Sequence, residues 1–404
     1  TILFLSLILS CCRQKVYALP AGAGESGTQP AADSGDVKAS VSDGPQSGSD
    51  AAAKPRKPAG KEPLLLSFTG DIMAHKNNFT MDDYNDIYSD VKHLFLHDDL
   101  SFANLEFPVY DDVPMSTFPM FNVHTPYVEA GIDAGLDVFS MANNHSTDKG
   151  PDGVIATCSV METFAAERGI TFSGIRSDPE IPFEPVLIEK NGWKIGFIAV
   201  TQWLNTYWGG DYAHYLHYQE KEAKEAFFQL LDEQTGNFDL FILSFHGGVE
   251  YATVASQEKI NFFDECLCHG VDIIWAHHPH VLQPWYFDRE TDGGKLIIYS
   301  AGNFISGQTW FLDARKPDHP RTYTGDGAVF RVRIQDSWKQ YRIHSVEAIP
   351  LTNYKDPEKG MVSKRLAVMS DNTAIPELWR KFYKRRYTVI SSHLADYSGG
   401  GILP

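Results

Sequence analysis

Short apolar runs recur along residues 63–308, and six of them stop at a side chain that can bind a metal or move a proton. Leu64–Phe68 runs into Thr69-Gly70-Asp71, and Ser101–Leu105 meets Glu106, with Asn104 just before its end. Val138–Met141 leads to Asn143-Asn144-His145, and Leu240–Phe245 to His246-Gly247-Gly248. Asp272–Ala276 stops at His277-His278-Pro279-His280, and Leu296–Ser300 at Gly302-Asn303. Runs of this length, with Trp193–Val200 as a seventh, read as strands. Between them lie helix-period stretches, one with Val154, Cys158, Met161 and Phe164 on a common face, another with Ile260, Phe263 and Leu267. Such alternation predicts an α/β fold with a largely parallel, helix-covered sheet. In open sheets of this kind the carboxyl ends of the strands form the ligand crevice.

Asp, Glu, Asn and neutral His, without thiolate, are ligands for divalent metals such as Mn, Fe or Zn. The spacing of His278-Pro279-His280 puts two imidazoles within reach of one metal pair, with Pro279 stiffening the turn. A metal pair can activate water and hold both oxygens of an in-line displacement. Either Glu106 or Asp71 supplies the carboxylate that bridges it.

The strings SFTGDIM, ANLEFPV, SMANNHSTDKG, SFHGGVEY, AHHPHVLQP and IYSAGNFI, in this order, resemble the successive motifs of the CapA family, named for poly-γ-glutamate capsule biosynthesis. That family is similar to the calcineurin-like metallophosphoesterases. The resemblance implies a four-layer α/β/β/α sandwich with a dinuclear metal centre. It implies Asp71 on the first metal, Glu106 as bridge, Asn144 as ligand, His246 and His278 on the second metal, and His280 on the first. His145 becomes the acid beside the leaving group. Two departures from the wider superfamily stand out: Met73 where a metal-binding His usually follows the first Asp, and Glu106 in place of a bridging Asp. His75 either compensates for Met73 or is a solvent-exposed loop residue. Asp148, Glu250 and Gln283, with Asn104, Asn143 and His277, are candidates to hydrogen-bond ligands or substrate. Asn303 is expected to fix a strand-end turn near the site.

The chain opens on TILFLSLILS, too short to span a bilayer but suited to the apolar part of a secretion signal. Ser10 before Cys11 resembles a lipoprotein cleavage box, with Cys11 as the acylated residue and Cys12 as the alternative. The expected organisation is a signal with lipobox over 1–12, a disordered tether over 13–60, and a body over 61–404. The body divides into core motifs over 63–308 and a β-rich and helical extension over 309–404. The tether is rich in Ala, Gly, Ser, Asp and Pro and cannot bury enough surface to order itself. It carries six Lys/Arg against five Asp/Glu, so the net charge of −17 belongs to the body, at −18. A body this acidic excludes nucleic acid as partner, because phosphate binding needs clustered positive charge. Cys158, Cys266 and Cys268 form neither a disulfide framework nor a thiolate zinc site.

Three segments read two ways each. Trp203–Tyr218, dense in Trp and Tyr, is a lid over substrate or an aromatic-packed insertion. Arg380, Lys381, Lys384, Arg385 and Arg386 form a solvated helix face or dock a polyanion or lipid headgroups. Residues 328–350 alternate as one or two hairpins closing the second sheet. At the level of function, one expectation is a di-metal hydrolase at the cell surface, acting on a phosphoester or a capsule or wall polymer bond. The other is a non-catalytic accessory subunit of a machine that makes or exports an anionic polymer, with synthase or exporter components as partners. Both place the chain outside the cytoplasm on a membrane.

Overall fold

Each strand-like run finds a partner in one of two sheets. The computed structural model describes residues 61–396 and 398, apart from residues 292, 310, 311, 318 and 337–341. The signal, Cys11 and the tether lie outside the described residues. The first sheet carries β1 (Leu64–Ile72), β2 (Leu100–Leu105), β3 (Val138–Ser140) and β4 (Thr171–Ser173) side by side and parallel. The second is built on β6 (Trp193–Thr201), β7 (Leu240–His246), β8 (Ile273–His277) and β10 (Lys295–Ile298), also parallel. Antiparallel β5 (Val186–Lys190) and β9 (Trp285–Asp288) close its two edges. A short β11 (Asn303–Ile305) pairs with the end of β1.

The sheets pack face to face. Phe68 and Phe102 of the first sheet meet Phe197 and Trp275 of the second, with ring centroids 5.7 Å apart for Phe68–Trp275 and for Phe102–Phe197. The opposite face of the first sheet is covered by α1 (Thr125–Asp133) and α2 (Gly150–Arg168), where Val154, Cys158, Met161 and Phe164 are all buried. That of the second sheet is covered by α3 (Lys221–Gln234) and α4 (Gln257–Cys268). Three apolar cores between four layers make an α/β/β/α sandwich, as expected.

Three expectations change. The alternating stretch after residue 325 forms β12 (Asp326–Ile334), β13 (Ile343–Asp356) and β14 (Gly360–Arg365), which extend the first sheet through antiparallel pairing of β12 with β1. They do not close the second sheet. On α4 the buried residues are Lys259, Phe262, Phe263 and Cys266, and Ile260 and Leu267 are partly buried against the same core, so the inward face is broader than expected and takes in a lysine. The basic cluster lies on the last helix, α6 (Glu377–Ala395), which follows the short α5 (Leu366–Asp371) and packs Phe382, Tyr383, Ile390 and Leu394 into the inter-sheet core. Arg386 leaves the solvated face. It is buried, 3.0 Å from buried Asp326, and its guanidinium lies over the Tyr323 ring.

Candidate metal centre

Parallel strands align their carboxyl ends, so β1, β2, β7 and β8 deliver their last side chains to one edge. Asp71 sits on β1 opposite Asn104 of β2, whose amide donates to Asp71 Oδ1 at 2.8 Å. The chain can place Asp71 there because Gly70 lacks a side chain. A Cβ at Gly70 would lie 2.0 Å from the Gly302 carbonyl oxygen, which accepts the Asp71 N–H at 2.9 Å.

Around these strand ends six predicted ligands converge. His246 Nε2 lies 2.8 Å from Asn144 Oδ1, 3.2 Å from His278 Nδ1 and 3.7 Å from Glu106 Oε1. His280 Nδ1 is 3.2 Å from Asp71 Oδ2, and its Nε2 is 3.6 Å from Glu106 Oε1. Two sets, Asp71-Glu106-His246 and Glu106-His278-His280, each bring their ligand atoms within 4.8 Å of one another. Glu106 belongs to both, as a bridge would. His246 also stands beside His278, and His280 beside Asp71, the neighbours that the resemblance pairs on each metal. His278 and His280 both hold positive φ, at 92° and 56°. Backbone strain of this kind is concentrated at functional sites.

Burial sets the electrostatics. It pushes the Glu106 carboxyl well above the usual range; His280 opposes this, and the charge of Asp71 adds to it. Burial also acts to raise Asp71, but the hydrogen bond from His280 and the charge of His277 outweigh it and hold that carboxyl low. His278 is pushed down to about 3 and His277 to about 4, chiefly by burial, so both rings are neutral. His280 is burdened by the same burial, yet Glu106 and Asp71 raise it to about 9.

Both oxygens of Glu106 are buried and accept no hydrogen bond. The imidazole nitrogens around them stand at ion-pair rather than hydrogen-bond distance. A buried carboxylate left in this way is costly unless a cation meets it. The donor set of carboxylate, amide oxygen and imidazole fits a divalent metal.

His145 stands beside this group. Its Nδ1 lies 2.7 Å from Asp148 Oδ2, which also accepts the Phe121 N–H at 2.7 Å, so the ring is held in one orientation. The Asn143 side chain accepts the His145 N–H at 3.1 Å and donates to the Leu105 carbonyl at 2.7 Å, tying this turn to the end of β2. His277 backs Asp71, with Nδ1 3.5 Å from Oδ1 and Nε2 3.2 Å from Ser244 Oγ. Asn303 Oδ1 lies 3.2 Å from His280 Nδ1, while its amide donates to Thr324 O and Gln308 Oε1, so it both fixes the turn and steadies a ligand. Gln283 touches no ligand; its amide donates to the Ala252 carbonyl and pins the loop after His246. Glu250 is exposed and reaches the site through its charge on His280 and Glu106.

His75 corrects its expectation of exposure. It is buried and accepts the Gly307 N–H at 3.2 Å, because the turn after β11 covers it. Two residues escaped sequence reasoning. The Asn205 side-chain nitrogen lies 3.2 Å from His145 Nδ1, and its amide oxygen 3.3 Å from the Asn144 nitrogen; nothing in a loop sequence marks it. Lys259 donates to the Gly247 and Tyr299 carbonyls at 2.9 and 3.2 Å, and burial lowers it to about 7. Its flanks, Gln257-Glu258 and Ile260-Asn261, give no sign that it is buried.

The sequence profile of the bacterial capsule synthesis protein PGA_cap matches residues 65–308. "Capsule biosynthesis protein CapA" of Bacillus anthracis is 26% identical over 299 residues, which cover 71% of this chain and 67% of that protein. "PGA biosynthesis protein CapA" of Bacillus subtilis (strain 168) is 26% identical over 266 residues, 61% of this chain and 64% of that protein. The chain thus spans about two thirds of the length of these relatives. Among solved structures, a hypothetical protein from Thermus thermophilus aligns with a TM-score of 0.42 at 16% identity, covering 71% of this chain and 98% of that one. The calcineurin-like phosphoesterase YfkN from Bacillus subtilis aligns with a TM-score of 0.39 at 13% identity, covering 83% and 100%. Those likenesses are distant, and the fold rests on the sheet order and cores described above. The profile match runs from within β1 to Gln308 and takes in every strand end that carries a metal-type side chain; the chain belongs to the bacterial capsule synthesis protein PGA_cap family.

Proposed function

We propose that the chain is a metal-dependent hydrolase of capsule formation, cutting a phosphoester or another bond of a surface polymer while held to a membrane through a lipid on Cys11. One observation carries the reading: Glu106, wholly buried and without a hydrogen bond, is ringed by Asp71, His246, His278 and His280. With Asn144 these residues would hold a pair of divalent Mn, Fe or Zn ions. Such ions, when bound, supply Lewis-acid activation of water and of the substrate oxygens. The protein does the rest. Asn104 and His277 fix Asp71, and Asn303 steadies His280. Asp148 accepts a hydrogen bond from His145 Nδ1–H, so that the imidazolium would pass its Nε2 proton to the departing group and return to the neutral ring. The lipid anchor and the tether of residues 13–60 would keep this body outside the cytoplasm, beside the machinery that makes or exports the polymer.

Elemental analysis of chain purified without chelators should find one to two transition metals per molecule. Metal-free protein of normal stability would sink the reading. A second reading, a non-catalytic accessory of polymer synthesis, draws on the names of the two relatives, which speak of biosynthesis and not hydrolysis. Turnover in a screen of phosphoesters and γ-glutamyl amides separates the two.

A further inference from the structure

The segment linking β6 to α3 is fastened to both loops of the metal centre. The Trp203 indole N–H donates to the Gly248 carbonyl at 3.2 Å, two residues beyond His246. The Asn205 N–H donates to the Asn144 carbonyl at 2.9 Å, and Thr147 Oγ1 to the Thr206 carbonyl at 2.6 Å. From this anchorage a run of rings leads outward. Trp203 lies 6.4 Å from His217, His217 is 6.3 Å from Tyr215 at an interplanar angle of 12°, and Tyr215 is 5.6 Å from Tyr207. Trp203 is 37% exposed and Tyr207 63%. Tyr215 and His217 between them are half-buried, and Tyr207 stands nearly perpendicular to Tyr215, at 83°. An aromatic strip of this kind that adjoins a polar site marks a ligand groove.

The chemistry of the strip narrows the ligand. Histidines apart, residues 201–217 contain one charged side chain, Asp211, in a body of net charge −18. Nothing here attracts an anion, and the surrounding field repels a polyanion. That disfavours an acidic peptide-like polymer, and it disfavours stacked nucleobases, whose phosphates bring the same charge. Aromatic rings offer a negatively polarised apolar face with polar groups at the edge. Here the Tyr207 and Tyr215 hydroxyls sit at that edge, 3.5 Å apart. A pyranose ring is the complement, with an apolar, weakly positive C–H face and hydroxyls around its rim.

We propose that Trp203, His217, Tyr215 and Tyr207 form a stacking platform for the sugar rings of a neutral or lightly charged glycan, whose reacting bond lies at the Asn144–His145 end. The placement of the bond rests on the hydrolase reading; the binding does not. Calorimetric titration of the full chain with cellohexaose, chitohexaose, maltohexaose and mannohexaose, and in parallel with poly-γ-glutamate, tests it. At least one hexasaccharide should bind saturably, and Tyr207→Ala and Trp203→Ala should each weaken it about tenfold or more. Tyr207 projects into water, so its removal leaves the fold intact. Absence of binding by all four sugars, equal affinity in Tyr207→Ala, or poly-γ-glutamate binding abolished by that same substitution would each overturn the platform. Metal content of the same samples keeps the two ideas apart: sugar binding through Tyr207 by a chain without metal refutes the hydrolase alone, and metal without sugar binding refutes the platform alone.

Discussion

His145 gains its meaning from its neighbours. Asp148 fixes one ring nitrogen, Asn143 fixes its backbone, and Phe121 stands edge-on at a centroid distance of 4.6 Å. His145→Ala should leave metal content and melting temperature nearly unchanged while turnover falls about 10²-fold, the usual worth of a positioned acid. His278→Ala should lose metal and turnover together; wild-type turnover in His145→Ala would remove the acid role. His280 makes a pH prediction. Its pKa of about 9 means that the ring is protonated at neutral pH and must lose that proton to a metal. Metal affinity should therefore climb about tenfold per pH unit up to about 9, measured by competition with a chromophoric chelator. A flat profile through neutrality would take His280 out of the ligand set. At this scale Asp71, Glu106, His246, His278 and His280 were legible because each closes an apolar run. Asn205 was not, since a loop carries no periodicity to mark which side chain turns inward. His75 misled because the turn that covers it comes more than two hundred residues later.

Among the elements, β1 bears the tightest constraint. It lies between β2 and β12 along most of its length, and its last residues pair with β11. Gly70 faces the Gly302 carbonyl at a separation that admits no Cβ. Gly70→Ala should cost about 3 kcal/mol of stability by urea unfolding, at the upper end of ordinary overpacking; a neutral substitution would mean that β11 yields freely. The strands of both parallel cores could be read from apolar runs, and so could α2 from its buried face. The sheet that β12–β14 join could not. Alternation tells which side of a strand is buried, but its neighbours are chosen by long-range pairing. The inward face of α4 was read correctly at Ile260, Phe263 and Leu267 but not at Lys259, which hydropathy sends to solvent and two backbone carbonyls draw in.

For the molecule as a whole, the buried pair Arg386–Asp326 ties the last helix to the first sheet. Arg386→Met should destabilise by about 3–5 kcal/mol, because it strands a buried carboxylate. Adding Asp326→Asn should recover most of that loss. Burial, which Arg386 and Thr352 only partly offset, raises the Asp326 pKa to about 6. This carboxylate therefore costs stability above about pH 6, and the cost fades as pH falls toward its unfolded value. The damage done by Arg386→Met should shrink in acid; a loss independent of pH would point to packing alone. No helix among the described residues is long and apolar enough to cross a membrane. The proposed lipid attachment is tested at the cysteines. Cys11→Ser should move the protein to the soluble fraction, and retention after Cys11 and Cys12 are both replaced by Ser would end the lipid model.

The pairing of Leu66 with Val332 also sets a timetable. A ribosome releases β1 early, yet this edge stays bare until β12 emerges, and the space between the sheets stays open until α6 follows. Closure over such sequence distance is slow. During synthesis the β1 amides should exchange with water in pulse-labelled nascent chains until β12 is out, and early protection would refute this order. A polypeptide that withholds its own completion in this way remains open to unfolding and rearrangement for longer after its first strands are made.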